Sequence, residues 1–428
     1  MDDTMSGHVI RLVEPSPWLS RLLRGEKGIL PTVSNVMMIL ANDPALANML
    51  AYDAFTHQPL LMRAAPVSEE GSPPLPGPYP RQWETADVTL IHAYLQRVWS
   101  PSIARETTEN AMITEATVRQ FHPVRAWLKS LVWDRKPRIN NWLMAAFDCE
   151  PTAFHRAAGA KVLIAAVRRV MQPGCKFDQM LVLEGAQGIG KSRALRALTG
   201  DSWFSDAIPS DLTSKDAAMA LVGVWILEFA EIEHLIRTEV ETIKAFLSRA
   251  VDRFRPPYGK NYIERPRQGI AIGTTNSDDY LRDSTGNRRI WPVKCRAADP
   301  EWVALNRDQL WAEAVVREEA GEPIWLDDEN TRAQATDATA ERMAEDVWQE
   351  KIREWLISRS ETTSADVLSH ALGMSAEKMT RAADMRVGAT LRVLGWTRAV
   401  TKQYGKSKRV WRLLPEDTTT PENGDFDF

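Results

Sequence analysis

Hydrophobic positions recur along this chain with two different periods, and the change between them divides it. Up to about residue 171 the helical period dominates. After Leu30-Pro31-Thr32, the positions Val36, Met37, Ile39 and Leu40 mark one helical face, and Asp43-Pro44 then restarts the chain. Tyr52-Asp53-Ala54-Phe55 is expected to pack against this helical pair. The run Ser72-Pro73-Pro74-Leu75-Pro76-Gly77-Pro78-Tyr79-Pro80 forbids a helix or an interior strand, so 64–80 reads as a linker. A second helical block covers roughly 84–147, with Ile91, Tyr94, Leu95 and Val98 on one face and a basic turn at 133–138. An apolar helix over 157–171 is halted by Pro173-Gly174.

From about 178 to 295 short apolar runs alternate with helical stretches. The strand candidates are 180–183, 224–229, 269–273 and 289–293, and this alternation predicts an α/β domain on a mostly parallel sheet. Helix returns over 308–319, and 320–345 is polar and Ala-rich. From 346 the chain reads as a separate small domain. Val347, Trp348, Ile352, Trp355 and Leu356 share one helical face, 365–372 and 384–394 are further helices, and 396–401 pairs with 408–413 as a hairpin. Helices followed by a basic hairpin predict a winged-helix-like module. The expected division is therefore a mainly helical N-terminal region over 1–150, a core over 151–300, a helical connector over 301–345, the module over 346–414, and a disordered acidic tail over 415–428.

Composition adds exclusions. With 44% hydrophobic and 26% charged residues in 428 positions, the chain is an ordinary globular protein of two or three domains. The formal charge is −4, from 53 basic against 57 acidic residues, so no global positive field draws in nucleic acid and any contact must be local. Cys149, Cys175 and Cys295 are scattered, which implies neither a disulfide framework nor a zinc site and favours a cytoplasmic protein. No apolar run approaches about 20 residues and no signal-peptide core opens the chain. The best local nucleic-acid patch is 385–415, where Arg386, Arg392, Arg398, Lys402, Lys406, Lys408, Arg409 and Arg412 interleave with Trp396, Tyr404 and Trp411 without one acid. The bland alternative is a solvated hairpin.

Candidate chemistry centres on Gly185-Ala186-Gln187-Gly188-Ile189-Gly190-Lys191-Ser192, which follows a buried strand and opens a helix closed by Gly200. Strand, G-x-x-x-x-G-K-S and helix in that order meet the context of a P-loop. The glycines let backbone N–H groups turn onto a phosphate, and the helix adds the positive end of its dipole. Lys191 would reach the β- and γ-phosphates of ATP, and the Ser192 hydroxyl would ligate Mg²⁺. Such a loop needs an acid from a neighbouring strand. Glu228, at the end of an apolar strand, and Glu231, where the chain leaves it, are the two candidates, with Glu228 the first choice for the metal. Asn276 ends another apolar strand, where its amide would hold the attacking water or the γ-phosphate. Gly286-Asn287-Arg288-Arg289 offers either arginine as a finger for a neighbouring subunit's phosphate, with ordinary salt bridging the alternative. Between the acidic and Asn-tipped strands, Arg255 and Lys260 flank aromatics in a turn that could grip a nucleic-acid backbone.

The P-loop, Pro173–Asp178, Ile243-Lys244-Ala245-Phe246-Leu247-Ser248-Arg249, Gly273-Thr274-Thr275-Asn276 and Tyr280-Leu281-Arg282-Asp283 with Gly286–Arg289 together resemble the virulence-associated E family of prophages and mobile elements. That family is similar to superfamily-3 helicases. The resemblance is strong over about 120–300. It implies an AAA+-like P-loop NTPase core that assembles as a homo-oligomeric ring, a hexamer, and hydrolyses ATP to move along or open single-stranded or forked DNA. It also implies a bacterial host cytoplasm. Carried over by position, Lys191 and Ser192 are Walker A, Glu228 or Glu231 is Walker B, Asn276 is the sensor, Arg288 or Arg289 is the finger, and Lys260 is a DNA-gripping residue. Walker B strands of superfamily 3 usually end in two adjacent acids, whereas here Phe229-Ala230 separates the two. No Asp-x-Asp primase signature stands on an N-terminal strand, so priming would fall to a separate primase or other replication protein. Two other readings remain: a nucleotide-switched DNA-binding initiator that does not unwind, motivated by the basic C-terminal segment, and a small-molecule kinase.

Overall fold

A computed structural model describes residues 16–26, 28–67, 75–255, 261–277, 280–281, 287–342, 347–403 and 406–413. The chain divides into two compact units, Met1–Asp278 with Arg288–Thr339 and Asp279–Asn287 with Ala340–Phe428.

The first unit begins with a two-stranded ribbon, β1 (Arg24–Gly25) and β2 (Gly28–Ile29), followed by α1 (Val33–Asn42). Thr32 caps α1 by accepting from the Asn35 N–H at 3.3 Å. Then come β3 (Leu50–Asp53), β4 (Gln58–Leu61), β5 (Arg81–Gln82), α2 (Thr85–Val98), α3 (Arg105–Val118), β6 (Gln120–Phe121), α4 (Pro123–Ser130), α5 (Trp142–Phe147) and α6 (Ala153–Met171). Helices dominate this stretch, but β5-β4-β3-β6 also form a four-stranded sheet that helical periodicity does not reveal. Its strands hold two to four residues, and β3 pairs parallel with β6 across more than 60 intervening positions. Such short strands are set by tertiary pairing and not by local pattern.

The second part of this unit is a five-stranded sheet. Its elements are β7 (Met180–Glu184), α7 (Lys191–Thr199), β8 (Phe204–Ser205), α8 (Lys215–Ala220), β9 (Ile226–Phe229), α9 (Ile232–Ser248), β12 (Ile270–Thr275) and β13 (Ile290–Lys294), with the ribbon β10 (Val251–Phe254) and β11 (Ile263–Pro266) inserted before β12. The strand order is β13-β7-β12-β9-β8 and every pairing is parallel. The expected mostly parallel sheet is therefore present, with β8 added at one edge. All residues of β7, β9 and β12 are buried, as strands covered on both faces require.

Helix α6 packs on β7 and β12 of this sheet, the long α10 (Pro300–Glu319) lies against α6 and α7, and α11 (Glu329–Glu341) follows. Fourteen of the 19 residues of α6 are buried. Trp225 and Trp311 stack at 4.1 Å between ring centres, and their indole N–H groups donate to the Ala166 and Leu198 carbonyls at 2.9 and 2.7 Å. Each large ring thus fills the core with its one polar atom satisfied. The basic turn at 133–138 is tied down: Arg138 pairs with Asp134 at 2.7 Å, and Glu313 of α10 accepts from the Arg138 and Ile139 N–H groups.

The second unit runs α12 (Val347–Leu356), β14 (Glu361–Thr362), α13 (Ser364–Asp366) continued by a wide turn over Val367–Ala371, α14 (Arg381–Val393), β15 (Trp396–Gln403) and β16 (Lys406–Leu413). Its sheet is antiparallel in the order β14-β16-β15, and Gln403 pairs with Lys406 where the hairpin turns. Ile352, Val387, Leu391, Trp396 and Trp411 form its own small core.

Gly159 lies where α6 crosses α5. A Cβ there would stand 2.9 Å from Leu143 Cδ1 and 2.9 Å from Trp142 Nε1, whose proton is donated to the Gly159 carbonyl. Gly159→Val is expected to lower stability by about 2–3 kcal/mol through overpacking. The midpoint of chemical denaturation checks this, and an unchanged midpoint would contradict the close packing described here.

Candidate functional site

In a parallel sheet the carboxyl ends of the strands share one edge, and side chains leaving those ends converge. Here β7 runs out into the 185–192 loop, β12 ends beside it, and β9 is the next strand along. Gly188 and Gly190 take φ of 82° and 100°, the left-handed region that favours glycine. At Gly185 a Cβ would stand 2.5 Å from the Cys295 carbonyl oxygen, so the chain there has no room for a side chain. Ala186, Gln187 and Gly188 are exposed, whereas Ile189 turns partly inward onto the core.

Lys191 opens α7 and is buried. Its ammonium donates to the Gly185 and Ala186 carbonyls at 2.5 and 3.0 Å and to Asn276 Oδ1 at 3.3 Å. Burial pushes its pKa below the usual lysine value, while Cys295, Glu228 and Glu233 pull the other way. Ser192 is exposed and donates to Glu228 Oε1 at 2.7 Å. Thr274 of β12 donates to the same oxygen at 2.7 Å. The Glu228 side chain has no exposed surface, and its Oε2 has no hydrogen-bond partner.

The two acids singled out in sequence part company. Glu228 joins Lys191, Ser192 and Asn276 in one cluster. Glu231 is exposed, in the left-handed conformation (φ 50°) at the start of α9. An acid that the sequence reading did not select, Glu233, is buried near Lys191, and its Oε2 also lacks a partner. Only its position, in the first turn of the helix that follows β9, signals it.

The arginines also separate. Arg289 donates to Asp178 Oδ2 at 3.1 Å and is partly buried, whereas Arg288 is exposed. Arg255 is exposed just beyond β10, and Lys260 lies outside the described residues. In the second unit Lys402 lies on β15 and Lys406 and Lys408 on β16, with their side chains outside the described set. Arg409 is exposed on β16.

The chain is thus an α/β protein with a glycine-rich loop, a buried lysine and a buried carboxylate gathered at the carboxyl edge of a parallel sheet. A family profile described as the virulence-associated protein E-like domain matches residues 128–344, half of the chain, and the protein belongs to that family. No curated protein matches it. Among solved structures it is similar to the apo A form of the NrS-1 C-terminal region (305–718), at 12% identity over 90% of this chain and 100% of that one, with a TM-score of 0.48. A second apo structure of the same region aligns at 13% identity over 85% and 95%, with a TM-score of 0.46. Among the described residues no helix is long and apolar enough to cross a membrane.

Thr274 and Ser192 together hold a carboxylate that would otherwise be buried with no donor. Thr274→Val removes one charge-assisted hydrogen bond without changing shape, and should cost about 1.5–3 kcal/mol of stability. Urea denaturation measures it; a cost below about 0.5 kcal/mol would show that Glu228 does not depend on this contact.

Proposed function

We propose that the protein is an ATP hydrolase acting on DNA as a helicase or translocase in the replication of a phage or mobile element. One observation carries the reading: Lys191, Ser192, Glu228 and Asn276 meet through hydrogen bonds although they come from three separate segments. This is the set a P-loop NTPase needs, and its strand order puts the Asn-tipped strand between the phosphate loop and the acid.

Two features support a fit to ATP and Mg²⁺. The Lys191 ammonium rests on carbonyl and amide oxygens that phosphate oxygens would replace. Glu228 Oε2 and Glu233 Oε2 are buried acceptors without partners, suited to a cation's bound water. Gly185, Ala186, Gln187, Gly188, Ile189 and Gly190 would cradle the phosphates, with Ser192 and Glu228 at the metal. Bound Mg²⁺ would supply neutralisation of the charge developing on the phosphates. In this scheme Glu228 positions the hydrolytic water, and the Asn276 amide holds it against the γ-phosphate. Lys191, buried at the head of α7, would direct its charge at the bond that breaks.

Because Arg289 is engaged by Asp178, the exposed Arg288 is the arginine we assign to a neighbouring subunit's phosphate in a homo-oligomeric ring. The order of helices and strands in the small unit supports our reading of it as a winged-helix-like module. Arg386 lies over the Trp348 ring at 3.9 Å and Arg398 over the buried Trp411 at 5.1 Å, leaving an exposed arginine surface suited to a DNA backbone. That surface also favours a second reading, a nucleotide-switched DNA-binding initiator without unwinding activity.

ATP turnover with forked DNA is the deciding measurement. Lys191→Ala and Glu228→Gln should each lower kcat by about 100-fold or more, and an unaffected rate in both would sink the hydrolase reading. If DNA binding survives Glu228→Gln and no strand separation occurs with wild type, the initiator reading stands in its place. Arg288→Ala should be inactive alone, about 10³-fold down, yet donate its own phosphate loop to mixed assemblies with Lys191→Ala. Arg289→Ala should instead lose stability; equal kinetic effects without mixing rescue would refute the assignment of Arg288.

A further inference from the structure

A cavity opens at the opposite edge of the same sheet, where the strands begin. Gln179 before β7, Val224 before β9 and Gln268 before β12 border it. Its walls are largely apolar: Phe55 from the β3–β4 turn, Phe177, Leu221 and Phe246. The space between these walls is about 700 Å³, a figure that includes its open mouth.

Arg169 of α6 also lines this cavity and is only 3% exposed. Its Nη2 donates to the Phe177 carbonyl at 2.6 Å, but Nε and Nη1 have no acceptor. The two carboxylates that its charge senses are engaged elsewhere: Asp178 by Arg289, and Asp252 by Arg267 at 2.7 Å and Arg249 at 3.3 Å. Arg265 and Arg267 line the cavity too, against the single acid Asp252. Burial, reinforced by Arg265, pushes the lining His57 down to about 4, so at neutral pH it adds no charge. The cavity is therefore net positive, with a buried cation lacking a full set of acceptors, and such a group is costly unless something supplies them.

We propose that this cavity binds a small organic anion, with its acidic group set against Arg169 and an apolar or aromatic body against Phe55, Phe177 and Phe246. An inorganic anion would satisfy the guanidinium but leave the aromatic walls wet; a neutral apolar molecule would do the reverse. Only a molecule with both parts answers both demands. The site is independent of the nucleotide reading, since it shares no residue with the 185–192 loop.

The probe is 1-anilinonaphthalene-8-sulfonate, an aromatic monoanion whose fluorescence rises on leaving water, titrated into the full-length protein. One saturable site is expected, with the neutral N-phenyl-1-naphthylamine binding at least about tenfold more weakly. Arg169→Gln should weaken the anion by about tenfold or more and leave the neutral analogue unchanged. Leu221→Trp, which adds bulk to the cavity wall from a different segment than Arg169, should abolish both and decides the matter if Arg169→Gln fails to fold by near-UV circular dichroism. Lys191→Ala and excess ATP should leave the titration unchanged. Equal binding of the charged and neutral probes, wild-type affinity in Leu221→Trp, or displacement by ATP would each overturn the proposal.

Discussion

The buried carboxylate of Glu228 is the constraint on which the carboxyl edge of the sheet depends. Its Oε1 takes hydroxyl donors from Ser192 at the head of α7 and from Thr274 near the end of β12, both at 2.7 Å. Those bonds fasten three segments that are separated in the chain but adjacent in the sheet. A carboxylate with no exposed surface is costly unless donors surround it, so each segment is held in the register that supplies them. The same register brings Asn276 within 3.3 Å of Lys191. The gathering of Lys191, Ser192 and Asn276 around Glu228 thus follows from satisfying one buried carboxyl group.

Much of this edge was legible in sequence because its signals are local. A buried strand exposes a polar side chain at its end, and the loop's glycines declare backbone that bends. Four parallel strands and the helix after the loop follow from the same alternation, as do the three C-terminal helices and their hairpin. The failures have a common physical cause. The strands of the N-terminal sheet are two to four residues long and β3 finds β6 only through the tertiary fold, so no period records them. Strand β8, of two residues, is missed for the same reason. Glu233 was overlooked because its burial depends on the angle at which α9 leaves the sheet, and no spacing rule carries that angle.

That angle also explains why Glu228 and Glu231, three residues apart, are separated in the fold. Two adjacent acids at a strand end point to opposite faces, so at most one of them enters a cluster on a given face. Here the chain leaves β9 after Phe229 and turns sharply at Glu231, whose left-handed backbone is unusual for a residue with a side chain. The turn sends Glu231 to solvent and swings the first turn of α9 inward, so that Glu233 is buried near Lys191. The strain at Glu231 is offset by an exposed, hydrated carboxylate and by the burial of Ile232 beside it. Glu228 on the strand and Glu233 on the following helix thus place two carboxyl groups close to the lysine.

The sheet then has two chemically opposite edges. At its carboxyl edge a lysine is matched by acids and amide oxygens, and the unpartnered atoms are acceptors, Glu228 Oε2 and Glu233 Oε2. At its amino edge the unpartnered atoms are donors, the Nε and Nη1 of Arg169, among aromatic walls. Strand β9 connects the two, with Val224 preceding it at one cavity and Glu228 near its other end. The two edges share no lining residue, and the buried strand between them separates their chemistry. Because coupling between sites is reciprocal, an amino-edge titration that the carboxyl edge leaves unchanged also means that a ligand at the amino edge leaves the carboxyl edge unchanged.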